Sequence, residues 1–204
     1  PVFHAEADLA DPLSLHMALE KSQPSPVINA AAYTKVDQAE SDKAVNHAIN
    51  AIAPGIMAQW CAQKGIPFVH YSTDYVFSGK GEKPWKEKNR PHPVNAYRPA
   101  KREGEIAIEK AKGKYLIFRT SWVYAAFGKN FFTTMLKLGA EREELRVVSD
   151  QHGAPTYAPH LASATLQALE AAQAMGKFPA GLYHLRPGGP TPRHGFAAAL
   201  FAQA

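Results

Sequence analysis

Tyr97 and Lys101 stand four residues apart in "NAYRPAKREGE", a stretch rich in helix formers. A phenol beside an ammonium is a pair that can move a proton. A free phenol titrates near 10, and a cation one helical turn away favours the phenolate, bringing tyrosine towards a usable proton donor near neutrality. Two other stretches could supply what the pair lacks. "HYSTDYVF" carries Ser72, Thr73 and Asp74 at the C-terminal end of a strand-like run, where a hydroxyl could hold a substrate carbonyl oxygen. The plainer reading there is a Ser/Thr turn with Asp74 capping the next element. "NAAAYT", Asn29 to Thr34, has side chains small enough for a ligand to lie against the backbone, or is an ordinary strand-to-helix turn. Carbonyl reduction needs a proton donor at oxygen and a hydride from a nicotinamide. The spacing alone proves nothing, because eight tyrosines and fifteen lysines give roughly 0.6 such pairs at random at the helix-neighbour spacing.

These groups can meet only if the chain carries strand ends to one edge. Its rhythm does so. "SPVINAAAY" reads as a strand ending near Ala30, followed by a helix in which Val45, Ile49, Ile52, Ile56 and Trp60 recur at helical spacing and which Gly65 ends. Pro67–Thr73 is the next strand. The Tyr97 helix runs to about Lys112, Gly113 stops it, and "YLIFRTSW" is a third strand. A helix near Asn130–Glu141, a short strand at Leu145–Val148, a turn-rich "SDQHGAPTYAP", a helix from about His160 to Met175, a strand "GLYHL" and a helix beginning at Phe196 complete the pattern. Alternating strand and helix predicts an α/β fold, a Rossmann-like doubly wound parallel sheet with helices on both faces and a smaller C-terminal substrate-binding lobe. The expected boundary lies near residue 125, with 1–125 the dinucleotide-binding part and 126–204 part of the lobe.

Composition narrows the function classes. A single cysteine, Cys61, excludes an intrachain disulfide framework and suits a reducing cytoplasm, and its place in an apolar helical pattern makes it a buried structural thiol. No apolar run reaches the roughly 20 residues of a membrane span. Net charge is +5, but the basic stretch Gly79–Pro93 is interrupted by Glu82 and Glu87 and holds three prolines. It reads as a solvated loop, and neither nucleic acid nor membrane is an expected partner. No HxH, HExxH or GxSxG pattern is present, so no zinc site or serine nucleophile is expected.

"VINAAAYTKVDQAES", "HYSTDYVFSGKGEKPW", "NAYRPAKREGE", "FRTSWVY" and "SDQHGAPT" fall in the order seen in the extended short-chain dehydrogenase/reductase family, which the chain resembles over nearly its whole length. The resemblance implies NADPH- or NADH-dependent reduction of a nucleotide-linked 4-keto sugar in deoxysugar (rhamnose) biosynthesis. In that reading Tyr97 is the proton donor, Lys101 holds the nicotinamide ribose, and Thr73 and Asp74 contact the sugar. Trp122 lines the sugar pocket; Ala30, Ala31, Ala32, Tyr33, Thr34 and Tyr71 border the dinucleotide; Asp8 and Leu9 lie beside the adenine. Gln151, Gly153, Pro155 and Thr156 match a substrate-lobe turn. Magnesium enters by the resemblance alone, and a homodimer is compatible with it. Where related dehydratases carry an acid-catalyst glutamate after Thr-Asp, this chain has Tyr75, which favours simple reduction.

Three departures stand beside these matches. Arg98, Pro99 and Ala100 replace the family's usual residues between tyrosine and lysine, and "TPRHG", Thr191 to Gly195, replaces its usual aromatic pair. No glycine-rich phosphate loop is present, so the sequence reads as a fragment whose own NAD(P)H binding is expected to be poor. Another nucleotide-sugar enzyme of the family, or a non-catalytic binding relative, stays open. Replacing Tyr97 by phenylalanine separates enzyme from binding subunit.

Overall fold

A computed structural model describes residues 6–81, 83–91 and 97–203, with the side chains of residues 97 and 98 outside the description. In chain order the elements are α1 (Pro12–Ser22), β1 (Val27–Asn29), α2 (Lys43–His47), α3 (Ala53–Lys64), β2 (Pro67–Thr73), α4 (Tyr97–Ala111) and β3 (Lys114–Thr120). There follow β4 (Val123–Tyr124), α5 (Phe131–Glu141), β5 (His152–Gly153), β6 (Thr156–Tyr157), α6 (Ala158–Ala174), β7 (Gly181–His184), β8 (Thr191–Pro192) and α7 (Arg193–Phe201). The chain divides into two compact units, Pro1–Arg119 with Met175–His184, and Thr120–Ala174 with Leu185–Ala204.

The larger unit is built on a four-stranded sheet in the order β1-β2-β3-β7. β1 runs parallel to β2, with Asn29 opposite His70, and β3 runs parallel to β7, with Arg119 opposite His184. Parallel strands covered by helices are apolar on both faces. Phe68, Val69, Ile117 and Phe118 are accordingly all buried, and Phe68 and Ile117 pack in one cluster with Leu15 and Leu19 of α1, Met57, Trp60 and Cys61 of α3, and Ile108 of α4. Each such side chain contributes about 1.5–3 kcal/mol when fully buried. β7 lies past residue 125 in sequence yet completes this sheet.

Local chemistry explains the ends. Asp11 accepts a hydrogen bond from the Leu13 N–H and Pro12 opens α1, while Gly65 at φ 69° closes α3. The helix after β1 departs from the regular period. Between α2 and α3 the chain takes a π turn over Ala48–Ile52. The apolar stripe read from a 3.6 period holds beyond that turn, where Ile56 packs on the core and Trp60 is buried, but fails at Val45 and Ile52. Val45 is 45% exposed and Ile52 44%, whereas Asn46 and Asn50 are buried. A π turn widens the helix by a residue and re-aims its side chains. α4 ends one residue sooner than Gly113: Lys112, at φ 55°, takes the left-handed position. Gly113 is needed for another reason, since a Cβ there would stand 2.9 Å from that of Ala62.

The smaller unit has a parallel pair, β4 with β6, and an antiparallel pair, β5 with β8. Its interior is aromatic: Tyr124 stacks near Phe132, Tyr157 and Phe196, and Phe131 stacks on Phe196. Asn130 and Thr133 form a reciprocal capping box at the start of α5. The strand expected at Leu145–Val148 is absent; the segment is coil, with Val148 48% exposed. Among the described residues it pairs in no ladder, and its Val148 carbonyl accepts from the His194 N–H of α7. The turn-rich stretch after it holds β5 and β6 instead.

Candidate active site

β2 alternates in burial as it leaves the sheet. Ser72 is buried, while Tyr71, Thr73, Asp74 and Tyr75 are partly exposed. The expectation that Ser72 faces a ligand is therefore corrected. Its Oγ donates to Glu105 Oε1 at 2.6 Å, in the interior, because successive strand side chains point to opposite faces. Thr73, rather than Asp74, caps the short 3₁₀ turn Asp74–Val76: its Oγ1 accepts from the Tyr75 N–H at 3.1 Å. Thr73 Oγ1 lies 3.4 Å from Asp74 Oδ1, too long for a strong bond. The hydroxyl can thus be oriented by its oxygen and still donate.

Lys101 is not a solvated side chain. It is 2% exposed, and its Nζ donates to the Tyr71 carbonyl at 2.7 Å and lies 3.2 Å from His70 Nε2. Burial drives its ammonium down from 10.5 to about 8, with the Glu105 charge opposing. His70 is held in turn, its Nδ1 lying 3.1 Å from Asn29 Nδ2 across the β1–β2 pairing. Burial first, and then Lys101, push the imidazole well below its usual range.

Beneath the lysine lies an ion pair. Glu105, fully buried, accepts from Arg119 Nε at 2.8 Å and Nη2 at 2.7 Å, and from Arg102 Nη1 at 2.9 Å, besides Ser72. Burial raises the Glu105 carboxyl, but the bidentate Arg119, Ser72 and Arg102 outweigh it and hold it below the usual carboxylate range. Arg119 also stacks 5.0 Å over Phe77.

The alanine loop after β1 is braced by amides. Asn29 Oδ1 accepts from the Ala31 N–H at 3.1 Å. Asn50, in the π turn, accepts from the Tyr33 N–H at 3.2 Å and donates to the Tyr33 carbonyl at 2.9 Å. Ala30, Ala31 and Thr34 are exposed; Ala32 and Tyr33 are partly so. The Tyr33 hydroxyl donates to Asp42 at 2.7 Å, which with partial burial and the carboxylate charge pushes it up to about 12. Asp8 folds back on its own turn, accepting from the Ala10 N–H, and Leu9 packs against the core.

In the smaller unit, Trp122 adopts φ 48°, a left-handed conformation that costs a non-glycine residue roughly 1–2 kcal/mol. Its carbonyl accepts from the Thr156 N–H at 3.1 Å, Gly153 packs so tightly on the indole that a Cβ would collide, and Arg193 lies 4.4 Å over the ring. Arg193 also donates to Gln151 Oε1. Gln151, Gly153 and Thr156 therefore gather around Trp122.

The structure brings Lys101, Tyr71 and the Ala31 loop together through His70 and Asn29. α4 begins at Tyr97, four positions before Lys101, but the Tyr97 side chain lies outside the described residues. His70, Glu105, Arg119 and Arg193 were not anticipated. His70 is 31 and 41 positions from Lys101 and Asn29, Glu105 is 33 from Ser72, and Arg119 is 14 from Glu105; only "TPRHG", where an aromatic pair was expected, marked Arg193. Among the described residues no group of three or more His, Cys, Asp or Glu could hold a metal ion, and no helix is long and apolar enough to cross a membrane. A cavity of about 410 Å3 in the smaller unit, bordered by Met135, Leu138 and Val147, contains none of these residues.

Known proteins resemble this chain in sequence and fold. A family model described as RmlD substrate binding domain matches residues 1–204. A dTDP-4-dehydrorhamnose reductase of Burkholderia thailandensis is 48% identical over 205 residues, covering 99% of this chain and 69% of that protein. The enzyme of the same name from Escherichia coli K12 is 44% identical over 197 residues, with 97% and 66% covered. The crystal structure of the Bacillus anthracis dTDP-4-dehydrorhamnose reductase in complex with NADP superposes with a TM-score of 0.91 at 35% identity, over 99% of this chain and 70% of that one. This chain thus spans about two thirds of the length of such relatives. With every residue inside the family model and relatives at 44–48% identity, the chain belongs to the RmlD family of dTDP-4-dehydrorhamnose reductases.

Proposed function

We propose that the protein carrying this chain reduces dTDP-4-dehydro-L-rhamnose to dTDP-L-rhamnose with NADPH or NADH. The observation that carries the reading is Lys101: a buried lysine fixed against the Tyr71 carbonyl at the C-terminal end of β2, one helical turn after Tyr97. Parallel sheets bind ligands outside those strand ends.

When bound, the nicotinamide would supply a hydride to the sugar carbonyl carbon. Everything else falls to side chains. Tyr97 gives the proton to the carbonyl oxygen, and the Lys101 cation lowers the cost of the phenolate left behind. Thr73, its oxygen held by the Tyr75 N–H, donates to the same carbonyl oxygen. Small residues at Ala30, Ala31 and Ala32 fit a dinucleotide lying against the backbone, and Lys101 would reach its ribose. Asp74 contacts the sugar, Trp122 offers it an apolar ring face, and Asp8 and Leu9 lie beside the adenine.

The test is a coupled assay in which dTDP-4-dehydro-L-rhamnose is generated and nicotinamide oxidation followed. Substrate-dependent oxidation with dTDP-L-rhamnose as product supports the reading. A protein that binds the nucleotide sugar yet leaves the nicotinamide unoxidised is a binding relative instead.

A further inference from the structure

We infer that Asn29, His70 and Lys101 form a hydrogen-bond relay in which the charge of Lys101 decides which imidazole nitrogen of His70 carries the proton, so that Lys101 ionisation is registered at the Ala31 amide. The relay stands on contacts in this chain; its consequence for cofactor binding rests on the reductase reading.

The hydrogens available at these atoms fix which groups donate. Asn29 Oδ1 accepts from the Ala31 N–H at 3.1 Å, which turns the amide NH2 of Asn29 towards His70 Nδ1, 3.1 Å away. Nδ1 must then be bare. A neutral imidazole has one N–H, so it sits on Nε2 and points at Lys101 Nζ, 3.2 Å away. An ammonium has no lone pair to receive it, whereas a neutral amine has one. The amine still donates to the Tyr71 carbonyl at 2.7 Å. As drawn, every contact is satisfied only when Lys101 is uncharged.

Protonating Lys101 reverses the chain of donors. The ammonium needs Nε2 as an acceptor, so the ring proton moves to Nδ1. Asn29 must then turn its carbonyl oxygen to Nδ1–H, withdrawing it from Ala31. One proton enters from water at Nζ, the ring exchanges one without changing charge, and the Ala31 N–H is released. That amide belongs to the loop proposed to border the dinucleotide, where it can donate to a ligand oxygen. By linkage, a cofactor that accepts from Ala31 favours the ammonium form of Lys101.

Among the described residues, the charged groups around Lys101 are Glu105 on its own helix, the Arg119 of β3 that pairs with Glu105, and Arg102, also on Glu105. On β2 the facing titratable group is His70 itself, and β1 contributes only the neutral Asn29. Burial that brings the lysine down to about 8 places the exchange within a range that solution measurements reach.

The test is nitrogen-15 NMR of the histidine rings in this chain across the Lys101 titration, with His70 identified by its loss in His70→Gln. The ring stays neutral throughout, Nε2–H predominates when Lys101 is neutral, and Nδ1–H replaces it with the midpoint of the lysine. The Ala31 amide shifts with that midpoint, and in Lys101→Met the ring keeps one tautomer at every pH. Asn29→Asp, an acceptor on both oxygens, locks Nδ1–H and raises the lysine midpoint more than tenfold in proton affinity. A single tautomer across the wild-type titration, or an exchange that persists in Lys101→Met, overturns the relay. These readouts need no turnover, so the relay can fail while the reductase assay succeeds, and the reverse.

Discussion

Glu105 shows what decides energy at the scale of single residues. A carboxylate with no exposure accepts from Ser72, Arg102 and both donors of Arg119. Removing its charge leaves Arg119 buried without an anion, so Glu105→Gln is expected to lose about 3–5 kcal/mol of unfolding free energy. Ser72→Ala removes one hydrogen bond to a group that keeps three others and is expected to lose about 1–3 kcal/mol. Urea unfolding of both variants checks the order, and equal losses would show that the carboxylate is not the anchor. Thr73 is a different case, since its structural duty is one cap. Thr73→Val is expected to lower kcat about 10²–10³-fold while Thr73→Ser retains most of it; a full-rate Thr73→Val removes the hydroxyl from the mechanism. Thr73 and Lys101 were legible in the sequence because residue type and a four-residue spacing suffice to suggest them. His70, Glu105 and Arg119 were not, because nothing local marks partners that the fold brings together from 14 to 41 positions away.

Elements fail or succeed as readings for a related reason. β2 could be read to the residue, since an apolar β-branched and aromatic run bounded by a helix stop has one interpretation. The helix after β1 could be placed but not oriented, because its π turn breaks the period on which the stripe from Val45 to Trp60 depended. What the π turn achieves is positional: it aims Asn50 at Tyr33 and lets α4 approach where Gly104 has no side chain. A Cβ at Gly104 would collide with the Asn50 carbonyl. Gly104→Ala is therefore expected to destabilise by about 1–3 kcal/mol although alanine is the better helix former. Calorimetry of Gly104→Ala against an exposed control on the same helix, Lys110→Ala, separates packing from propensity, and a stabilised Gly104→Ala would mean the close approach is not needed. The absent strand at Leu145–Val148 teaches the same lesson in reverse. β-propensity makes a strand only where a partner edge is offered, and there the neighbouring segment supplies one hydrogen bond rather than a ladder.

At the scale of the whole molecule the buried titratable groups act in opposite directions, and their windows fix the shape of stability against pH. Glu105 and His70 both have lowered folded values, so the unfolded chain binds more protons as pH falls below 6.5 for the histidine and 4.5 for the glutamate, and stability is lost on acidification. Lys101 is lowered too, from 10.5 to about 8, so the unfolded chain again binds more protons between those values and stability rises with pH across them. Cys61 opposes this. Burial pushes its thiol from 9.0 up to about 12, so above 9.0 the unfolded chain gives up a proton that the folded one keeps, and stability falls as pH rises. Tyr115, raised chiefly by burial, adds to the fall above 10.0. Thermal melts across this range should therefore show stability climbing from acid, level between the histidine and lysine windows, rising again from about 8, and flattening once Cys61 begins to oppose at 9.0. In Cys61→Ala the rise should continue past 9.0, and in Lys101→Met it should vanish, leaving a decline from 9.0 onward. A wild-type curve with no rise from 8, level until it declines from 9.0, would mean that Lys101 keeps its proton in the fold. The amine that completes the contacts among His70, Asn29 and Ala31 would then not be the resting state of this site.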